Sequence, residues 1–168
     1  MTLAEVAEKW DMPPVETAIK VMEEGSSAIA SFNMKESDIQ NFMRQDWVMT
    51  CSDGTNAHPR KYGSFPKKIK EYVLEKNVIS LPEMIRKSTA LTAETFKIPR
   101  RGRLKPGYFA DIIIFKPEQV IDHATFENPA RYSTGMEFVI VNGTVCIDHG
   151  NYNGVMAGRV IKKEQKRP

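Results

Sequence analysis

The sequence predicts an α/β fold, and the evidence is a change of hydrophobic pattern along the chain. Up to about residue 98, apolar residues recur at helical spacing, as in Val15, Ala18, Ile19 and Met22. Between helical segments, Trp47–Cys51 is an apolar run with almost no polar alternation, which is typical of a parallel strand covered on both faces. From about residue 99, glycines separate short apolar runs, and this indicates a small β unit.

Capping signals mark where the helices begin. Thr2 with Glu5 and Ser80 with Glu83 have the spacing of a capping box, and proline at position 13 or 14 suits a first helical turn. A second apolar run covers residues 27–32. Together with the run at 47–51 it gives the order helix, strand, helix, strand that is expected of an α/β protein.

Three strands are predicted near the end of the chain: Asp111–Phe115, Glu137–Val141 and Thr144–Ile147. The dipeptide Asn142-Gly143 between the last two is a strong signal for a two-residue hairpin turn. We therefore predict two parts, residues 1–98 and residues 99–168, with a basic tail at the end of the second.

Composition excludes several classes of protein. With 168 residues, 41% hydrophobic and 27% charged, the chain has ordinary globular usage. The segment Arg159–Pro168 contains five basic residues and one acid, whereas the net charge of the whole chain is +3. The remainder of the chain therefore sums to −1, and a nucleic-acid partner is not expected. No apolar run reaches the roughly 20 residues of a membrane helix. The first residues lack signal-peptide character, and with two separated cysteines we expect a cytoplasmic protein.

Two groups of motifs resemble a known family. RGRLKPGYFADIIIF at 101–115, followed by VIVNG at 139–143, resembles the C-terminal signature of the amidohydrolase superfamily. More specifically, SDG at 52–54 with HPRKYGSFP at 58–66 resembles the N-acyl-D-amino-acid deacylases, or D-aminoacylases. ATFENP at 124–129 and the segment 154–159 resemble the same family, so the resemblance covers nearly the whole chain.

The resemblance implies the C-terminal portion of a TIM (β/α)8 barrel of amidohydrolase type plus a small β domain. Residues 1–98 would then be barrel, with 27–32 and 47–51 as the seventh and eighth strands, and residues 99–168 the β domain. A complete barrel takes about 250 residues, more than this chain has. An incomplete barrel leaves strand edges bare, so we expect the N-terminal half of the barrel as a partner, or self-association.

The resemblance also implies the site residues. In the family, an aspartate at the place of Asp53 takes a proton from a metal-bound water and returns it to the leaving nitrogen; zinc brings the pKa of such a water to about 7. The alternative is that Asp53 is simply a turn residue before Gly54. Ser52, His58 and Arg60 are candidate substrate-binding residues. Arg60 suits a substrate carboxylate or a neighbouring acid equally well, and His58 fits an ordering role in the loop better than zinc ligation.

The expected function is hydrolysis of the amide bond of N-acyl-D-amino acids by a complete, zinc-dependent enzyme. The histidines His58, His123 and His149 are scattered and form no His-x-His pair, so we expect this chain alone to bind no zinc and to be inactive. Two alternatives stay open. One is a non-catalytic interaction or oligomerisation module derived from an amidohydrolase, and the other is part of a dihydropyrimidinase-like cyclic amidase.

Overall fold

A computed structural model of the protein describes residues 1–25, 33–56 and 58–161. The chain divides into two compact units, Met1–Lys35 and Glu36–Pro168. The first contains α1 (Leu3–Trp10) and α2 (Pro14–Glu23). The predicted capping box of α1 is confirmed: Thr2 Oγ1 accepts from the Glu5 backbone N–H, and the Glu5 carboxylate accepts from the Thr2 backbone N–H.

The second unit begins with helices and ends with a sheet. Its helical segments are α3 (Glu36–Arg44), α4 (Arg60–Lys67), a π-helical continuation of α4 (Lys68–Glu75), α5 (Leu81–Ser88) and α6 (Ala90–Thr95). Ser80 caps α5, because its hydroxyl accepts from the Glu83 backbone N–H at 3.3 Å. A short 3₁₀ turn, Pro117–Gln119, follows the first strand of the sheet and packs against the π-helical segment.

The described residues form an open, four-stranded antiparallel sheet in chain order: β1 (Ile112–Phe115), β2 (Met136–Val141), β3 (Thr144–Asp148) and β4 (Asn151–Tyr152). The three predicted strands are therefore confirmed, each to within one residue. The predicted hairpin turn is confirmed too, since Asn142 and Gly143 join β2 to β3 with φ of 50° and 82°.

The core of the second unit lies between the π-helical segment, α5 and the 3₁₀ turn. Its buried members are Ile69, Val73, Met84 and Val120. Pro66 has no N–H to donate within α4, and two residues later the helix widens into the π-helical segment. There Lys68, Ile69, Tyr72 and Val73 are all buried. The segment thus buries a lysine beside its apolar side chains.

One predicted strand is wrong. Residues 47–51 are not a strand; the chain turns after α3 and then runs irregularly to residue 56. A strand exists only where a neighbour completes its hydrogen bonds, and in residues 33–56 and 58–161 no strand lies beside this run. Helical side chains bind the run and the residue before it instead. Lys68 Nζ donates to Thr50 Oγ1 at 2.7 Å, and Arg86 Nη2 donates to the carbonyl oxygen of Asp46 at 3.0 Å.

The other predicted barrel strand, residues 27–32, lies outside the described residues. The boundary near residue 98 stays a prediction, as does the assignment of residues 99–168 to a separate β domain. None of the described helices is long and apolar enough to cross a membrane.

Candidate active site

Asp53 lies in the exposed loop that joins α3 to α4. Its backbone is in the left-handed region, with φ of 44°, a conformation that aspartate tolerates better than most residues but still at some strain. Its backbone N–H donates to the Cys51 Sγ at 3.3 Å. The side chain is 79% exposed, so the loop presents the carboxylate to the surroundings.

Arg60, the first residue of α4, holds Asp53 by two contacts. Its Nε donates to the Asp53 carbonyl oxygen at 2.7 Å, and its Nη2 lies 2.9 Å from Asp53 Oδ2. Backbone and carboxylate are therefore fixed by one planar guanidinium group. Asp53 Oδ1 has no hydrogen-bond partner among the described residues, which leaves this oxygen open to a water or substrate. Of the two partners predicted for Arg60, the structure shows the neighbouring acid.

His58 and Ser52 flank this pair. His58 Nδ1 accepts the backbone N–H of Arg60 at 3.1 Å, and its ring packs edge-on against Phe126 with centroids 5.2 Å apart. These contacts order the start of α4, which carries Arg60. Ser52 is half-buried, and its hydroxyl has no hydrogen-bond partner within residues 33–56 and 58–161. The four predicted site residues thus lie on the loop and on the first residue of α4, which follows it.

Gly54 allows this loop to lie directly on α4. A Cβ at Gly54 would come within 3.0 Å of Lys61 Cγ and 3.2 Å of Lys61 Cα, closer than side chains normally pack. Lys61 in turn donates from Nζ to Asn56 Oδ1 at 2.9 Å. The sequence pattern Asp-Gly therefore serves close packing here and not merely a turn.

A buried lysine beneath the loop was not predicted from the sequence. Lys68 is 7% exposed, and its Nζ donates to Thr50 Oγ1 at 2.7 Å, three residues before Asp53. Thr50 Oγ1 also lies within hydrogen-bond distance of Ser88 Oγ, at 3.1 Å, while the Ser88 hydroxyl donates to the Met84 carbonyl oxygen at 2.8 Å. A signal was present in the sequence: Lys68 stands three residues after Phe65 and four before Tyr72, within the apolar stripe of the predicted helix.

Burial lowers the pKa of Lys68 to about 8, with a further contribution from the positive charge of Lys87, while Glu83 acts in the opposite direction. Because the ordinary pKa is 10.5, the unfolded chain binds more protons between pH 8 and pH 10.5 than the folded one. Stability is therefore expected to rise with pH across this window.

This pH dependence is our first prediction. Urea unfolding should show a gain of about 2 kcal/mol between pH 8 and pH 9.5, at 1.36 kcal/mol per unit of pKa difference. Lys68→Met should abolish the gain, because the titrating group is gone. Lys67→Met is the matched control, since Lys67 is exposed and pairs with Glu71, and it should retain the gain. A stability that is flat or falling over this range in the unsubstituted chain contradicts the prediction.

The described residues do not fit a zinc site. A catalytic zinc needs about three protein ligands around an open position. Within residues 1–25, 33–56 and 58–161, no three His, Cys, Asp or Glu side chains come together closely enough to hold a metal ion. His123 and His149 are engaged elsewhere, with Thr134 and Asp148 respectively.

Comparisons with known proteins show the class to which this fold and loop belong. Residues 15–147 match the amidohydrolase family, and the chain belongs to that family. It matches part of an N-acyl-D-amino-acid deacylase: the D-aminoacylase of Alcaligenes xylosoxydans xylosoxydans is 37% identical over 136 residues, which are 79% of this chain and 28% of the relative.

Solved structures agree with this assignment. The crystal structure of a D-aminoacylase, described as defining a novel subset of amidohydrolases, superimposes with a TM-score of 0.84 at 33% identity, covering 96% of this chain and 34% of that one. The N-acyl-D-glutamate deacylase of Bordetella bronchiseptica, solved with zinc and a phosphonate inhibitor, superimposes with a TM-score of 0.72 at 32% identity, covering 85% of this chain and 30% of that one. The chain thus spans about a third or less of these relatives' length.

Proposed function

We propose that this chain supplies the acid–base carboxylate of an N-acyl-D-amino-acid deacylase. The observation that carries the proposal is the state of Asp53: it is exposed, its Oδ2 is held by Arg60, and its Oδ1 is open. A carboxylate fixed at one oxygen and open at the other suits proton transfer at a defined position. The names of the relatives give the substrate class, an amide formed by an acyl group and a D-amino acid.

We propose the following chemical step, which this geometry supports. Asp53 Oδ1 accepts a proton from the attacking water as the water oxygen bonds to the acyl carbon. The carbon–nitrogen bond then breaks, and Asp53 gives the proton to the leaving nitrogen. The products are the carboxylic acid and the free D-amino acid. Arg60 keeps Asp53 in place during both transfers, and we propose Ser52 and His58 as contacts for the substrate.

The rest of the active site would come from the remainder of the barrel. We propose that the complete enzyme binds Zn²⁺ through residues outside the described set, as the zinc complex of the Bordetella relative suggests. Phe42 and Trp47 in the second unit are 56% and 67% exposed, and apolar side chains of this size favour a packing partner. We propose the N-terminal half of the barrel as that partner, and self-association in its absence.

A graft tests the proposal. The part of the Alcaligenes D-aminoacylase that aligns with this chain is replaced by the chain, and release of free amine from N-acetyl-D-amino acids is measured with zinc present. We expect the graft to release D-amino acid and to leave the L-enantiomers intact. The 168-residue chain with zinc is expected to be inactive, because the described residues hold no metal site.

Each other outcome favours a different function. Zinc-dependent turnover by the 168-residue chain contradicts the proposal that it needs the rest of the barrel. Hydrolysis of cyclic amides in place of N-acyl-D-amino acids favours the dihydropyrimidinase-like alternative. A folded but inactive graft, in which the chain still associates with the remainder of the relative, favours the non-catalytic module.

A further inference from the structure

Two buried lysines hold the chain that leads from α3 to Asp53. Lys87 on α5 is completely buried, and its Nζ donates to the carbonyl oxygens of Met43 and Gln45, both at 2.6 Å. These carbonyls are at the C-terminal end of α3, where helices leave oxygens without partners. Lys68 on the π-helical segment holds Thr50 at the other end of the same stretch. The irregular run 45–50 is therefore attached at both ends to helical side chains.

The burial of Lys68 and Lys87 is energetically unfavourable by itself. Two ammonium groups are buried near one another, and the charge of Lys87 lowers the pKa of Lys68. Glu83 is the nearby acid, but Arg86 binds it at 2.8 Å, while Lys87 Nζ lies 3.7 Å away. Buried like charges are costly, and methionine in place of one lysine would fill similar space without the desolvation penalty. The core alone does not require an ammonium group at position 68. The run 45–50 needs hydrogen-bond donors to fix it, because it has no strand partner in the described residues.

We propose that Lys68, acting through Thr50, is a positioning residue for Asp53, with Lys87 fixing the beginning of the same segment. Thr50 Oγ1 accepts from Lys68 Nζ and lies 3.1 Å from Ser88 Oγ, so the hydroxyl is the point where the π-helical segment, α5 and the loop meet. Only two residues lie between Thr50 and Asp53. The catalytic meaning of the inference rests on the proposed function; the positioning itself is a property of this chain.

Hydrogen exchange on the 168-residue chain tests the positioning without reference to activity. Lys68→Met and Thr50→Val should each speed exchange in peptides covering residues 47–56, because the segment loses its anchor. Thr50→Ser keeps the hydroxyl and should exchange like the original chain. Lys67→Met alters the neighbouring exposed lysine and should also leave exchange unchanged. Unfolding midpoints in urea at pH 7 should not fall for Lys68→Met, since a desolvated charge is removed.

The graft gives the second measurement. Lys68→Met and Thr50→Val should each lower kcat by about 10²-fold with little change in KM, as expected when a reacting group is displaced by about 1 Å. The double variant should lose no more than either single one, because both act through the same contact. Thr50→Ser keeps the hydroxyl and should retain most of the rate of the original graft. If Thr50 served only to fill space, the rate would not depend on the hydroxyl.

The outcomes separate the two proposals. If exchange at 47–56 is unchanged in Lys68→Met and Thr50→Val, the positioning role is overturned. It is also overturned if the graft depends on Asp53 while both substitutions leave kcat intact, or if their effects add. A graft without deacylase activity overturns the proposed function, and the exchange experiment then still decides whether Lys68 fixes the segment.

Discussion

Asp53→Asn in the graft is expected to lower kcat for N-acetyl-D-amino acid hydrolysis by about 10²–10⁴-fold, the usual contribution of a positioned acid–base group. Asparagine has the same shape and can still accept a hydrogen bond from Arg60 through its amide oxygen. It cannot take a proton from water at neutral pH. The loop geometry should therefore survive while the chemical step fails, and KM should change little.

Asp148→Asn is the matched control for this substitution. Asp148 is also an exposed aspartate beside a basic side chain, with its Oδ1 2.6 Å from His149 Nδ1, but it lies at the end of β3. Its substitution should leave kcat close to that of the original graft. A graft that keeps its full rate with asparagine at position 53 would remove Asp53 from the mechanism. Equal losses in both variants would point to a general effect of charge and not to acid–base catalysis.

The β part of the fold could be predicted because its signals are local. Alternation, glycines and the pair Asn142-Gly143 determine strand ends and turn conformation within a few residues of chain. The run at 47–51 was wrongly predicted to be a strand because strand formation there does not depend on local signals. An apolar run becomes a strand only beside another strand, and that partner is a property of distant chain. Here Lys68 donates to the Thr50 hydroxyl within the run, and Arg86 donates to the Asp46 carbonyl oxygen just before it.

The same distinction applies to the site. Asp53, His58 and Arg60 are neighbours in sequence, so the resemblance and the loop pattern were enough to group them. Whether Arg60 binds Asp53 or a substrate depended on the turn geometry, which puts its Nε on the Asp53 carbonyl oxygen. Lys68 and Ser88 reach Thr50 from 18 and 38 residues away, and helix packing alone brings them there. Spacing rules do not describe such contacts.

The second large effect is a loss of stability expected from substituting Gly135, which lies where the chain enters β2. Its φ is 93°, and a Cβ there would overlap the Gln119 carbonyl oxygen and would be 2.7 Å from Val120 Cα. Both are backbone atoms of the 3₁₀ turn and its end, and Val120 is 1% exposed in the core. The clash cannot be relieved by rotating a side chain, so the turn must move and withdraw Val120 from Ile69 and Val73.

Gly135→Ala is therefore expected to lower the free energy of unfolding by about 3 kcal/mol or more, combining backbone strain with lost core packing. Gly143→Ala isolates the strain, because Gly143 has a similar φ of 82° and no atom within 4 Å of its Cβ position. It should cost about 1 kcal/mol. Urea unfolding of the two variants measures the difference directly. Because Ile69 directly follows Lys68, Gly135→Ala should also speed hydrogen exchange at 47–56, whereas Gly143→Ala should not. Equal effects of the two substitutions would refute the packing of Gly135 described here.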